Sequence, residues 1–533
     1  MSTSVGAQRE AIATGRTALG IELGSTRIKA ALIGPDTEVL ATGTYDWENQ
    51  FVDRMWTYPL PQVWEGLAGC FASLAGEVRE QHGVELTTVG SLGVSAMMHG
   101  YLAFDATGEL LVPFRTWRNT TTGPASDLLT PAFDFHVPLR WSVAHLCQAI
   151  LDDEPHVGRV AFITTLAGYV HWQLTGEKVL GVGDASGMFP IDSATNDFDR
   201  RRLAKFDALM ADRNLGWRLA DILPKVLVAG EPAGKLTPAG ARLLDPSGTL
   251  RAGVPMCPPE GDAGTGMVAT NAVTPRTGNV SVGTSIFAMV VLEHALSKVH
   301  PEIDMVTTPA GDPVAMVHCN NGASEIDQWC SLFGEFAAAA GVGVSRADAF
   351  GALYRQALAG EPDGGGLVAY NFVAGEDIAG LTEGRPMVLR TPESRLSLAN
   401  FMRVQIYAMF ATLKLGMDVL AGEHVSVDRM LAQGGVFTTP EVAQRMLAAA
   451  IDTPIIVPAT APQGGAWGMA VLAAYLADDT SGLSLADYLE KVVFTAQTAT
   501  TIEPGADDVA GFAAFMRRFT SALAAERAAV ETI

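Results

Sequence analysis

Two short segments, about 260 residues apart, share one pattern: an apolar run, a glycine followed by two hydroxyl residues, and a second apolar run. The first is Ala18–Ile33, with Gly24-Ser25-Thr26 at its centre. The second is Gly278–Val291, with Gly283-Thr284-Ser285. Each predicts a β-hairpin, and alignment at the two glycines brings both hydroxyl positions into register. A hairpin repeated at this distance predicts a duplicated domain with a cleft between the halves. Glycine lets another group approach the backbone, successive N–H groups form an anion-binding concavity, and the hydroxyls add donors.

The segments between the hairpins alternate in type. Trp64, Leu67, Phe71, Leu74 and Val78 fall at helical spacing, Val89–Ser95 is a short apolar strand, and the alternation continues to Gly261, predicting an α/β layered architecture. The spacing predicts further helices over Asn400–Leu420, Pro440–Ile451 and Trp467–Ala477. Met1–Thr17 has no apolar core and reads as a disordered tail.

Thirty-six basic residues against 58 acidic ones leave a formal charge of −22, which disfavours nucleic acid and anionic membranes as partners. Any anionic ligand must then be met by backbone N–H groups, a metal or a few local bases. The five cysteines are widely spaced and form no C-x-x-C pair, so reduced thiols in a cytoplasmic protein are expected. No run approaches the ~18 uninterrupted apolar residues of a membrane span. Between the two hairpins lies Pro258-Pro-Glu-Gly-Asp-Ala-Gly-Thr-Gly266, which predicts a tight, exposed turn carrying Asp262, a carboxylate suited to take a proton from an alcohol.

Seven motifs in order carry a resemblance to the FGGY carbohydrate kinase family, over roughly residues 18 to 480. They are Gly20-Ile-Glu-Leu-Gly-Ser-Thr26, Met98-His99-Gly100, Trp117-Arg118-Asn119, Gly183-Asp184-Ala185-Ser186-Gly187, Gly261-Asp262-Ala263, Gly283-Thr284-Ser285 and Gln433-Gly434-Gly435. The resemblance implies a two-lobed actin-like ATPase fold, ribonuclease H-like in each half. The domains expected are a tail over 1–17, a sugar-binding and catalytic domain over 18–270 and a nucleotide-binding domain over 271–533.

It also implies transfer of the γ-phosphate of ATP, with Mg²⁺, to a sugar hydroxyl. Gly24, Ser25, Thr26, Lys29, Gly283, Thr284 and Ser285 would meet the phosphates, and Gly434, Gly435 and Phe437 the adenine. Glu22 and Asp262 would contact the metal, and Asp262 would be the base. Met98-His99-Gly100 resembles the sugar-contacting segment of the xylulose/ribulose-kinase-like branch, with Trp117, Arg118 and Asn119 completing the pocket. Asp184 and Ser186 are expected to stabilise the first domain.

Three positions depart from the family pattern. Glu22 stands where Asp is usual, Asn119 where the pentulose branch carries a carboxylate, and Val436 where a third small residue is usual. An amide both donates and accepts, so Asn119 leaves glycerol, a tetrulose or a deoxy-sugar as alternative acceptors. An actin-like ATPase switch without sugar phosphorylation is the alternative outside sugar kinases. A homodimer is compatible with the chain.

Overall fold

A computed structural model describes residues 2–458, 464–477, 482–495 and 499–533. They form two compact units. The first comprises 1–273, 305–314 and 463–496, and the second 274–304, 315–462 and 497–533. Both units are therefore discontinuous in sequence, where the expected blocks 18–270 and 271–533 are continuous stretches.

The first unit is built on a five-stranded sheet in the order β5-β4-β1-β2-β3, from β1 (Ala18–Leu23), β2 (Arg27–Ile33), β3 (Val39–Asp46), β4 (Ser91–Ala96) and β5 (Glu260–Gly261). β1 and β2 are the antiparallel hairpin read from the sequence, with Glu22 opposite Lys29, and β1 runs parallel to β4. Helix α2 (Leu60–His82) buries Val63, Leu67, Phe71, Leu74 and Val78, the face its apolar spacing specifies, and ends on Gly83 in the left-handed conformation (φ 62°). The Gly464–Ala477 helix packs against the opposite face of the sheet. There Gly20 is indispensable, because a Cβ would run into the backbone of Ala466 and Ala470.

The segment expected to be a disordered tail is instead helix α1 (Ser2–Thr14). Ala11 and Ile12 are buried, and Ile12 belongs to the main core of the first unit. The reason is tertiary: two apolar residues late in the segment find a core to dock on, and short-range composition does not reveal it.

A seven-stranded sheet organises the second unit. Five of its strands are β6 (Thr277–Val282), β7 (Ile286–Val291), β8 (Arg429–Gln433), β9 (Ile455–Pro458) and β10 (Ala499–Ile502), in the order β7-β6-β8-β9-β10. The plan of the first sheet recurs: an antiparallel Gly-hydroxyl hairpin whose first strand also pairs in parallel with a later strand. The repeat is not perfect. Leu23 pairs Ile28 across four residues, whereas Val282 pairs Ile286 across three. The 25-residue helix Leu398–Gly422 is long and apolar enough to cross a membrane by length and composition alone. It is nevertheless a core helix, with Arg403 fully buried and bonded to Asp508 and the Gly360 carbonyl.

Candidate active site

In the first unit the expected residues gather at the C-terminal ends of β1, β4 and β5. The β1–β2 tip is fixed through its carbonyls. Trp47 Nε1 donates to Gly24 C=O (2.7 Å), the Trp47 N–H to Thr26 C=O (3.2 Å) and the Tyr58 hydroxyl to Ser25 C=O (2.6 Å). Trp47 and Tyr58 stack at 4.3 Å, stiffening this support. With its acceptors used, the tip leaves the Ser25 and Thr26 N–H groups without a protein acceptor among the described residues, and both side chains are exposed. That is a seat suited to an anion.

Glu22 ends β1 on the face covered by the Gly464–Ala477 helix and accepts the Ala466 N–H. Burial, then repulsion from Asp262, pushes its carboxyl up to about 7, against the opposing pull of Lys29. Gly465 makes room for it: a Cβ there would lie 2.6 Å from Glu22 Oε1.

Asp262 does not sit in an exposed turn. It is the first residue of helix α3 (Asp262–Ala269), capped by Gly261, and it is half-buried. The Pro- and Gly-rich stretch bends only as far as β5; after it the N-terminal helix position favours the carboxylate. Asp262 Oδ1 accepts the Met98 N–H (3.2 Å) and the Ala263 N–H (3.0 Å). Burial nevertheless pushes its pKa up to about 6. A carboxylate there titrates close to neutrality, the range in which a general base works best.

Met98, His99 and Gly100 follow β4 and are all buried. His99 and Gly100 have φ of 70° and 87°; for histidine this left-handed backbone costs about 1–2 kcal/mol. His99 stacks on Trp141 (6.3 Å), and its Nδ1 lies 3.2 Å from the Gly187 carbonyl. Asp184 is fully buried, with Oδ2 accepting the Thr165 hydroxyl and Oδ1 without a partner among the described residues. Glu260 Oε2 accepts the Asp184 N–H (3.0 Å), and burial pushes the Asp184 carboxyl up to about 7 and that of Glu260 up to about 8. Glu260 lies within the Asp262 motif, and its place on β5, two residues before Asp262, is the sequence signal that marks it.

Trp117 packs on the core and Arg118 lies exposed over the Trp56 ring at 3.7 Å. Asn119 spends its amide on backbone: Oδ1 accepts the Trp56 N–H and Nδ2 donates to the Trp56 and Thr116 carbonyls. It therefore seats Trp56, and through it Arg118.

The second unit repeats the tip arrangement. Gly322 N–H donates to Thr284 C=O (2.7 Å) and Ala323 N–H to Gly283 C=O (2.8 Å), leaving the Thr284 and Ser285 N–H groups without a protein acceptor among the described residues. Asn371 Nδ2 holds the Asn321 and Gly322 carbonyls, and the Glu376 carboxylate takes the Asn320 and Asn321 N–H groups, so a buried polar network fixes the support. Gly434 (φ 122°) follows β8, and a Cβ there would run into Val282 C=O, so the Gly434-Gly435 loop lies directly beside this tip. Val436 is buried and Phe437 half-buried. Next to this loop Thr438, Thr439 and Pro440 line a cavity of about 610 Å³ with Asp327 on helix α4 (Ser324–Ala339) and Arg346 and Phe350 on helix α5 (Arg346–Gln356). No local motif marks Asp327, Arg346 or Phe350, which reach this cavity only through tertiary packing.

Among the described residues no three His, Cys, Asp or Glu side chains are grouped to hold a metal ion. Glu22 and Asp262, close enough for one charge to raise the other's pKa, fit an ion that takes one or two carboxylates and completes its shell with water and phosphate oxygens, as Mg²⁺ does.

Two family models match the sequence: the N-terminal domain of the FGGY family of carbohydrate kinases over residues 17–136 and its C-terminal domain over 278–477; the chain belongs to this family. The xylulose kinase of Escherichia coli (strain K12) is 25% identical over 295 residues, 52% of this chain and 55% of that enzyme, so the match spans about half of the relative. A xylulose kinase from Rhodospirillum rubrum superposes with a TM-score of 0.77 at 19% identity, covering 96% of this chain and 99% of that one. Plasmodium falciparum glycerol kinase with ADP superposes at 0.73 and 12% identity, covering 96% and 98%. These likenesses establish the two-domain actin-like ATPase fold.

Proposed function

We propose that the protein transfers the γ-phosphate of MgATP to a hydroxyl of a ketopentose such as xylulose or ribulose. The observation that carries this reading is Asp262 at the start of α3, locked by the Met98 N–H and followed on the neighbouring strand end by His99. Asp262 takes the proton of the attacking hydroxyl, a contribution of ~10²–10⁴-fold in rate. His99 and Met98 contact the sugar, with Gly100 giving the backbone turn that presents them, and Trp117 and Arg118 extend the pocket. Asn119 contributes by holding Trp56.

Gly24-Ser25-Thr26 and Gly283-Thr284-Ser285 donate backbone N–H groups to the phosphates, and Lys29 offsets charge beside Glu22. Gly434, Gly435 and Phe437 take the adenine. Glu22 and Asp262 would hold Mg²⁺, which when bound would supply neutralisation of phosphate charge. The five cysteines are free and buried, which supports a reducing, cytoplasmic setting.

Relatives described as xylulose kinases support the pentulose; the glycerol kinase neighbour and the structural engagement of Asn119 favour a second reading in which the acceptor is glycerol or another polyol. ADP release should be measured by a coupled assay across pentuloses, hexuloses, glycerol and erythritol. Stimulation greatest with a pentulose is expected. Greatest stimulation with a polyol selects the second reading, and sugar-independent release contradicts both.

A further inference from the structure

The mechanism leaves one conspicuous element of the first unit unused: the buried turn Val182–Gly187. Its placement is over-determined. Glu260 accepts the Asp184 N–H, the Thr165 hydroxyl donates to Asp184, the Ser186 hydroxyl donates to the Gly183 carbonyl, and Ser186 Oγ in turn accepts the Thr307 N–H (3.1 Å). At its far end Gly187 lies against the expected acceptor-binding residues. A Cβ on Gly187 would stand 2.7 Å from His99 Nδ1, 3.0 Å from His99 Cε1 and 3.0 Å from Met98 Cε. Gly187 has no positive φ, so its smallness serves this approach rather than the backbone.

The Gly187 carbonyl can only accept, so His99 Nδ1 carries the proton and, in the neutral ring, Nε2 is the acceptor nitrogen. Gly187 thus contributes to both the seat and the tautomer of the imidazole.

We propose that Gly187 is a positioning residue that determines acceptor selection, acting through His99 and Met98. This rests on the reading of those two residues as sugar contacts. The ring cannot give way cheaply. It is stacked on Trp141, and its backbone sits in the left-handed region at φ 70°. A methyl group on Gly187 therefore shifts the ring by a few tenths of an ångström or more, and displacement of a positioning group on the ångström scale is worth up to ~10²-fold.

Two measurements test it. In the first, wild type, Gly187→Ala and a control, Gly123→Ala, whose added Cβ would meet nothing within 4 Å, are compared for acceptor KM, ATP KM and kcat. Gly187→Ala should raise the KM of the best acceptor ~10-fold or more and reorder the acceptor panel, with ATP KM unchanged. An acceptor KM and rank order equal to wild type overturns the proposal. In the second, ¹⁵N-histidine NMR of the wild type, with the His99 signals assigned by their loss in His99→Gln, should find the proton on Nδ1. A proton on Nε2 alone overturns the proposal, even if Gly187→Ala fails to fold. A wild type that no acceptor stimulates refutes the kinase reading, and with it acceptor selection by Gly187, whereas a normal wild type with an unaltered variant refutes the role of Gly187 alone.

Discussion

At the scale of single residues, the candidate site contains carboxylates held away from water. Glu22 is the instructive one, because the family usually carries Asp at this position. The longer side chain is accommodated by Gly465 and anchored by the Ala466 N–H, so its oxygens are fixed despite the extra methylene. Glu22→Gln keeps this shape and removes the charge. It should raise the Mg²⁺ concentration for half-maximal rate ~10-fold or more, read by metal titration of the initial rate; an unchanged requirement would remove Glu22 from the metal site.

At the scale of elements, glycines decide how closely a helix and a sheet can approach. Gly20 on β1 sits where a Cβ would meet the backbone of the Gly464–Ala477 helix, while Gly468 on that helix sits where a Cβ would meet the backbone of α3, a helix–helix approach. Gly20→Ala should lower stability by about 1–3 kcal/mol, measured as a lower denaturation midpoint at constant slope, and a stability equal to wild type would show that the helix can shift freely. Much of this level was legible in the sequence. Both Gly-hydroxyl hairpins, α2 and the long helix Leu398–Gly422 follow from local periodicity and turn chemistry, which operate over a few residues.

The misses share a cause in distant partners. The helix at Ser2–Thr14 exists because a core lies under Ile12. Local sequence predicts an exposed turn at Asp262 because its partner, Met98, lies 164 residues away. Asn119 could not be seen to hold Trp56, 63 residues back, nor Gly187 to touch His99.

At the scale of the whole molecule, buried carboxyls give the chain a pH dependence of definite sign. Burial, first in every case, raises Glu22, Asp184 and Glu376 to about 7 and Glu260 to about 8. Each keeps its proton in the folded chain at a pH where the unfolded chain has lost it, so the stability each contributes at low pH is lost as pH rises through these values. His171, buried with its pKa lowered to about 4, acts on the other side: its contribution is present above 6.5 and lost as pH falls towards 4. The melting temperature of the ligand-free protein should therefore fall between pH 6.5 and 8.5, and Mg²⁺ should lessen the fall by favouring ionised Glu22. A melting temperature flat over this interval would contradict the assignment of those carboxyls as buried and protonated.

Residue, element and molecule meet in the proposed reaction, in which a carboxylate set at a helix start on one sheet would withdraw a proton from a sugar hydroxyl that then takes the phosphate of ATP. Its most direct test is ADP release with and without a ketopentose, in wild type and in Asp262→Asn. Sugar-stimulated release in the wild type and its loss in the variant, with ATP binding retained, are expected. Release independent of sugar, or turnover undiminished in Asp262→Asn, would contradict it.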